Sequence, residues 1–78
     1  MVLGSPTKRS VTIAGHETSI SLEPIYWQAL EHAAREEGLP VNALIARIDV
    51  ERLETPAGTP NLTSAIRQWL FMRTSNHG

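Results

Sequence analysis

The chain has 78 residues, a mass of 8.6 kDa and a formal net charge of −1, enough for one domain that buries only about 60% of its unfolded surface. It has no cysteine, which excludes disulfides and cysteine-based metal sites, and its three histidines (His16, His32, His77) are too scattered to form a metal cage, so neither metal nor cofactor is expected. No run approaches the roughly 20 apolar residues of a membrane span and no secretory core opens the chain, which predicts a cytoplasmic protein; self-association then becomes the expected source of extra buried area.

Residues 1–7 read as a loose leader, because Gly4, Ser5 and Pro6 discourage regular structure. Thr18 to Leu22 alternates polar and apolar residues and predicts a short strand; Arg9 to Ile13 gives a weaker strand signal. Glu23 and Pro24 then open a helix over 24–37, with Trp27, Leu30 and Ala34 on one stripe and Gly38 as a left-handed stop. A second helix is predicted over 40–53, with Pro40 at its first position. Val41, Leu44, Ile45 and Ile48 there recur at i, i+3, i+4 and i+7. Residues 54–60 form a Pro/Gly linker. Asn61 is a plausible cap for a third helix over 61–72, where Leu62, Ala65, Ile66, Trp69 and Leu70 make an apolar stripe, and 73–78 reads as a frayed tail.

One strand cannot stand alone, because its backbone groups need a ladder. Arg9–Ile13 can fold back through Ala14, Gly15 and His16, or Thr18–Leu22 can pair antiparallel with its twin in a second copy. The second route is favoured, because it also completes the core. Ile20, Leu22, Trp27, Leu30, Leu44, Ile45 and Ile48 are then the expected dimer core, and the fold is mainly α with one short N-terminal strand. If Ile20 and Leu22 point inward, Glu17, Ser19 and Ser21 point outward.

The order strand, helix, glycine, helix, with T-S-I-S-L-E-P followed by G-L-P-V-N-A-L-I, resembles the ribbon-helix-helix fold of the Arc, MetJ and CopG type repressors over residues 18–53. The longer stretch K-R-S-V-T-I-A-G-H-E-T-S-I-S-L-E-P, with N-L-T-S-A-I-R, is similar to a small bacterial branch of that family over residues 8–71. The resemblance implies an intertwined homodimer whose paired ribbon enters the DNA major groove. Glu17, Ser19 and Ser21 would then read base edges. It also implies a phosphate held by the backbone at the start of the second helix, around Pro40, Val41 and Asn42. Lys8 and Arg9 would add phosphate contacts as an arm ahead of the ribbon.

Two positions depart from the family pattern. The reading face carries two serines and a glutamate in place of stronger base readers, and Pro40 replaces a hydroxyl cap. Charge is also segregated: residues 1–22 carry +1, residues 23–54 carry −4 and residues 55–78 carry +2. Arg47 and Arg52 are expected to pair with acids of their own helix such as Glu51. Trp27 and Trp69 fall on apolar stripes and read as core, while Trp69, Phe71 and Met72 could leave a patch for a protein partner. There is no cysteine nucleophile, phosphate-binding glycine loop or paired-acid spacing, so no catalytic residue is expected and the chain does not read as an enzyme. The expected function is a dimeric transcriptional regulator, a repressor in type. The alternative is a dimeric protein-interaction module, adaptor or antitoxin-like, that docks a partner on its third helix and binds DNA weakly or not at all.

Overall fold

The structure, a computed structural model, describes residues 3–55 and 60–75. Residues 56–59 of the expected linker lie outside these, as do residues 1–2 of the leader and 76–78 of the tail. Five elements follow in order: β1 (Thr7–Ile13), β2 (His16–Leu22), α1 (Pro24–Glu37), α2 (Val41–Leu53) and α3 (Leu62–Ser75).

The expectation of a single strand is corrected. β1 and β2 form an antiparallel hairpin within one chain, in a register that sets Thr7 opposite Leu22 and Ile13 opposite His16. The reason is the turn. Ala14 and Gly15 both take positive φ, 51° and 81°, which is the signature of the tight hairpin turn whose twist matches the flanking strands. Alanine is uncommon at the first of these positions, so the turn signal in the sequence is faint. β1 is also anchored from outside the sheet, because the Trp27 indole N–H donates to the Thr7 carbonyl at 2.8 Å.

The helices follow their local chemistry. Pro24 opens α1, with the Glu23 carbonyl accepting from the Tyr26 and Trp27 N–H groups. Gly38, at φ 68°, closes it in the left-handed conformation, with the Gly38 and Leu39 N–H groups returning to the Arg35 and Ala34 carbonyls. Pro40 sits one residue earlier in its role than expected: it is the extended N-cap of α2 rather than its first helical residue. Asn61 does cap α3, its side-chain oxygen accepting from the Ser64 N–H at 2.8 Å. α3 continues three residues past the expected end, because Arg73 reaches the acids of α1 and the Thr74 hydroxyl donates back to the Leu70 carbonyl.

One core joins all five elements. Val11, Ile13, Ile20 and Leu22 from the hairpin meet Trp27, Leu30, Ala33 and Ala34 of α1, Leu44, Ile45 and Ile48 of α2, and Ile66 and Leu70 of α3. The residues expected to need a second copy for burial are therefore already buried, none of them more than 3% exposed in the single chain. β1 and α3 supply what a twin was expected to supply.

Charge pairing closes the helices over this core. Arg67 of α3 bonds Glu23 at 2.8 Å, and Arg73 of α3 bonds Glu36 at 3.0 Å and Glu37 at 3.3 Å. Arg47 pairs with Glu37 of α1 at 2.9 Å and not with an acid of its own helix. Arg52 does pair within α2, with Asp49 at 2.7 Å, and also donates to the Pro60 carbonyl at 3.1 Å, which fixes the entry to α3.

Candidate nucleic-acid interface

The register divides the hairpin into two faces. Opposite partners share a face, so Lys8–Ser21, Ser10–Ser19 and Thr12–Glu17 lie together on the side away from the core. All six residues are exposed. Glu17, Ser19 and Ser21 are thus where alternation puts them. Lys8, expected as an arm ahead of the ribbon, joins them from β1, together with Ser10 and Thr12, which the sequence alone does not single out. The signal was present, since positions 8, 10 and 12 continue the same alternation. The face is flat, rich in hydroxyls and nearly neutral, with one lysine and one glutamate.

Lys8 and Arg9 do not act together. Lys8 is on the outward face, whereas Arg9 is on the core side of β1, opposite Ile20. The Arg9 guanidinium lies 4.6 Å from the centre of the Trp27 ring and 3.5 Å from the Glu31 carboxylate, so it clamps β1 to α1.

Val41 and Asn42 stand at the start of α2, away from the hairpin in sequence, with Asn42 exposed. Pro40 gives no side-chain cap, which leaves the first N–H groups of α2 without intrahelical acceptors and with the positive end of the helix dipole behind them. That arrangement suits an anion.

Few positive charges are left for DNA. Arg9, Arg47, Arg52, Arg67 and Arg73 are all held by carboxylates. The Arg67 contact holds the Glu23 carboxyl below its usual range, and Arg47 with Arg73 does the same for Glu37; the two acids raise the Arg73 guanidinium in turn. Of the expected core aromatics, Trp27 is buried, and Trp69 is part-buried with the Arg73 guanidinium 5.4 Å from its ring centre. Phe71 and Met72 are exposed on α3, which itself packs on its own chain through Ile66 and Leu70.

A cleft of about 420 Å³ lies between the hairpin tip, α2 and α3, but its charged pair, Asp49 and Arg52, is already mutually satisfied. No group of three metal-binding side chains occurs among the described residues, and no helix there is long and apolar enough to cross a membrane.

Comparison with curated proteins and with solved structures gave no match. A family model described as a ribbon-helix-helix domain matches residues 6–74, nearly the whole chain, and takes in β1 and α3 as well as the central strand and two helices. That family consists in general of dimeric DNA-binding regulators. With a ribbon of two strands followed by the glycine-separated helices α1 and α2, the chain belongs to the ribbon-helix-helix domain family.

Proposed function

We propose that the protein is a dimeric DNA-binding transcriptional regulator, a repressor in type, that lays the outward face of its hairpin in the major groove. The observation that carries this reading is the exposed, co-facial row of Lys8, Ser10, Thr12, Glu17, Ser19 and Ser21 on a two-stranded ribbon. A two-stranded ribbon fits the major groove, and hydroxyl and carboxylate groups can hydrogen-bond to base edges there. Ser10, Thr12, Ser19 and Ser21 pair with donors or acceptors, and Glu17 accepts from cytosine. Lys8 contacts phosphate, and the backbone N–H groups at Val41 and Asn42 grip a second phosphate.

The test is binding of the full chain to duplex DNA from its own upstream region and to random duplex, across a salt series. The expected result is binding to both at low salt, tighter to the upstream region, with affinity falling as salt rises. Absence of binding to either duplex at low salt overturns the reading. It would favour the protein-interaction module instead, which the near-neutral face and the carboxylate-held arginines support.

A further inference from the structure

The core side of β2 changes character along the strand. Ile20 and Leu22 are apolar and buried, whereas Thr18 and His16, nearer the turn on the same side, are polar. Packing of the hydrophobic core gives no reason for them. Beneath that end of the hairpin lies the cleft of about 420 Å³, walled by Asp49 and Arg52 of α2 and by Asn61 and Leu62 where α3 begins. Small-molecule sites occupy roughly 300–1,000 Å³, so the cleft is of ligand size. Thr18 is half-buried, and the Asp49 and Arg52 side chains are only 20% and 22% exposed, so these polar groups are largely withdrawn from water.

The walls keep hydrogen-bonding capacity that the fold does not use. The Asp49–Arg52 pair is balanced in charge, but both Arg52 bonds fall on one carboxylate oxygen, Asp49 Oδ1, at 2.7 and 2.8 Å. Asp49 Oδ2 has no partner among the described residues. Arg52 gives one further N–H to the Pro60 carbonyl and keeps the rest of its donors. Asn61 commits its side-chain oxygen to the Ser64 N–H, while its NH2 group has no partner among the described residues. The cleft therefore holds an anion and a cation that are each only partly used, with Ile13 and Leu62 as apolar wall. We propose that it binds a free α-amino acid with an apolar side chain. The ammonium donates to Asp49 Oδ2 and the Thr18 hydroxyl, the carboxylate accepts from the Asn61 NH2 and the remaining Arg52 N–H groups, and the side chain lies on Ile13 and Leu62. A phosphate or other dianion would meet Asp49 with one arginine that is already neutralised. A simple amine or a hydrocarbon would leave the Asn61 and Arg52 donors shut off from water without acceptors. The outward face of the same tip carries Thr12 and Glu17, so an occupant braces the ribbon from behind, but the site stands whether or not the ribbon binds DNA.

Titration of the isotope-labelled full chain with L-leucine and with L-phenylalanine, followed by NMR amide shifts up to about 10 mM, tests this. At least one of the two should give saturable shifts centred on Ile13, His16, Thr18, Asp49, Asn61 and Leu62, with a dissociation constant below roughly 1 mM. The matching acid, which lacks the ammonium, and the matching amide, which lacks the carboxylate, should each bind about tenfold more weakly or worse, because each loses its charged hydrogen bonds. Those two comparisons leave the protein unaltered. Asp49→Asn keeps the shape of the side chain, removes the anionic oxygen and should weaken the amino acid by a similar factor. Three results overturn the proposal: no saturable shift with either amino acid, shifts centred outside the cleft, or an acid and an amide that bind as tightly as the amino acid itself. DNA binding is measured on separate samples without amino acid, and its absence sinks the functional reading alone.

Discussion

Lys8 and Arg9 are neighbours in the chain and opposites in the fold, which gives each a different expected phenotype. Lys8→Ala removes a cation from the outward face and touches nothing in the core. It should leave stability within about 0.5 kcal/mol and reduce the salt dependence of DNA binding by about one counterion per copy. Arg9→Ala should do the reverse. It releases Glu31 and uncovers the Trp27 ring, so urea unfolding should show a loss of about 0.5–1 kcal/mol while the salt slope hardly moves. Equal effects on the salt slope would mean that Arg9 leaves Trp27 to meet phosphate. At the hairpin tip, Ala14 holds φ 51° without the side-chain hydrogen bond that lets asparagine tolerate that region. Ala14→Asn should therefore stabilise the fold by about 0.5–1 kcal/mol, measured by thermal and urea unfolding. A loss of stability would show that the methyl group or the turn type contributes something the backbone angles do not reveal.

Among the elements, α3 is the one whose role was least legible. Its stripe of Leu62, Ala65, Ile66, Trp69 and Leu70 marks it as a helix, but periodicity cannot say which surface it covers. The structure answers that with Ile66, fully buried, and with Arg67 and Arg73, which reach Glu23 ahead of α1 and Glu36 near its end. The segregated charge of the sequence then has a physical meaning: the acids of the middle segment are partly neutralised by Arg67 and Arg73 of the C-terminal one. The strands were half legible for a related reason. Alternation marked Thr18–Leu22, while the partner choice depended on whether Ala14-Gly15 turns, and alanine gives little sign of that. The reading face was legible for Glu17, Ser19 and Ser21 because period two alone decides it; Ser10 and Thr12 required knowing that β1 exists. The ion pairs also predict an acid response. Glu23 and Glu37 have folded pKa values lowered from about 4.5 by their arginines, so the stability they add is complete above that pH and is lost as pH falls through the lowered values. Urea midpoints should be level above about pH 5.5 and decline below about pH 4.5, with Trp69 fluorescence reporting early release of α3. In Arg67→Gln with Arg73→Gln, the Glu23 part of the decline should disappear and the Glu37 part should shrink, because Arg47 still holds Glu37. An unchanged acid profile in the double variant would mean that other carboxylates govern it.

For the molecule as a whole, the feature that matters is that the single chain closes a hydrophobic core by itself. An intertwined dimer that shares its core has no stable monomer, and its melting temperature rises with protein concentration. Here every core position from Val11 to Leu70 is filled by the chain itself, including Ile66 and Leu70 from a helix that lies outside the strand-helix-helix unit. The single chain therefore has a hydrophobic centre of its own. The consequence is measurable. Across a concentration range of roughly a hundredfold, the wild type should show at most a small rise in melting temperature, as expected where the folded single chain is itself stable. Val50→Glu with Leu53→Glu should still unfold in one cooperative transition, because neither side chain belongs to the core. Ile66→Ala should act in the opposite way, costing about 2–4 kcal/mol at every concentration through the cavity it leaves, without altering the concentration dependence. If the wild type is instead unfolded when dilute, the core closed by one chain is not sufficient, and a second copy is part of the fold itself.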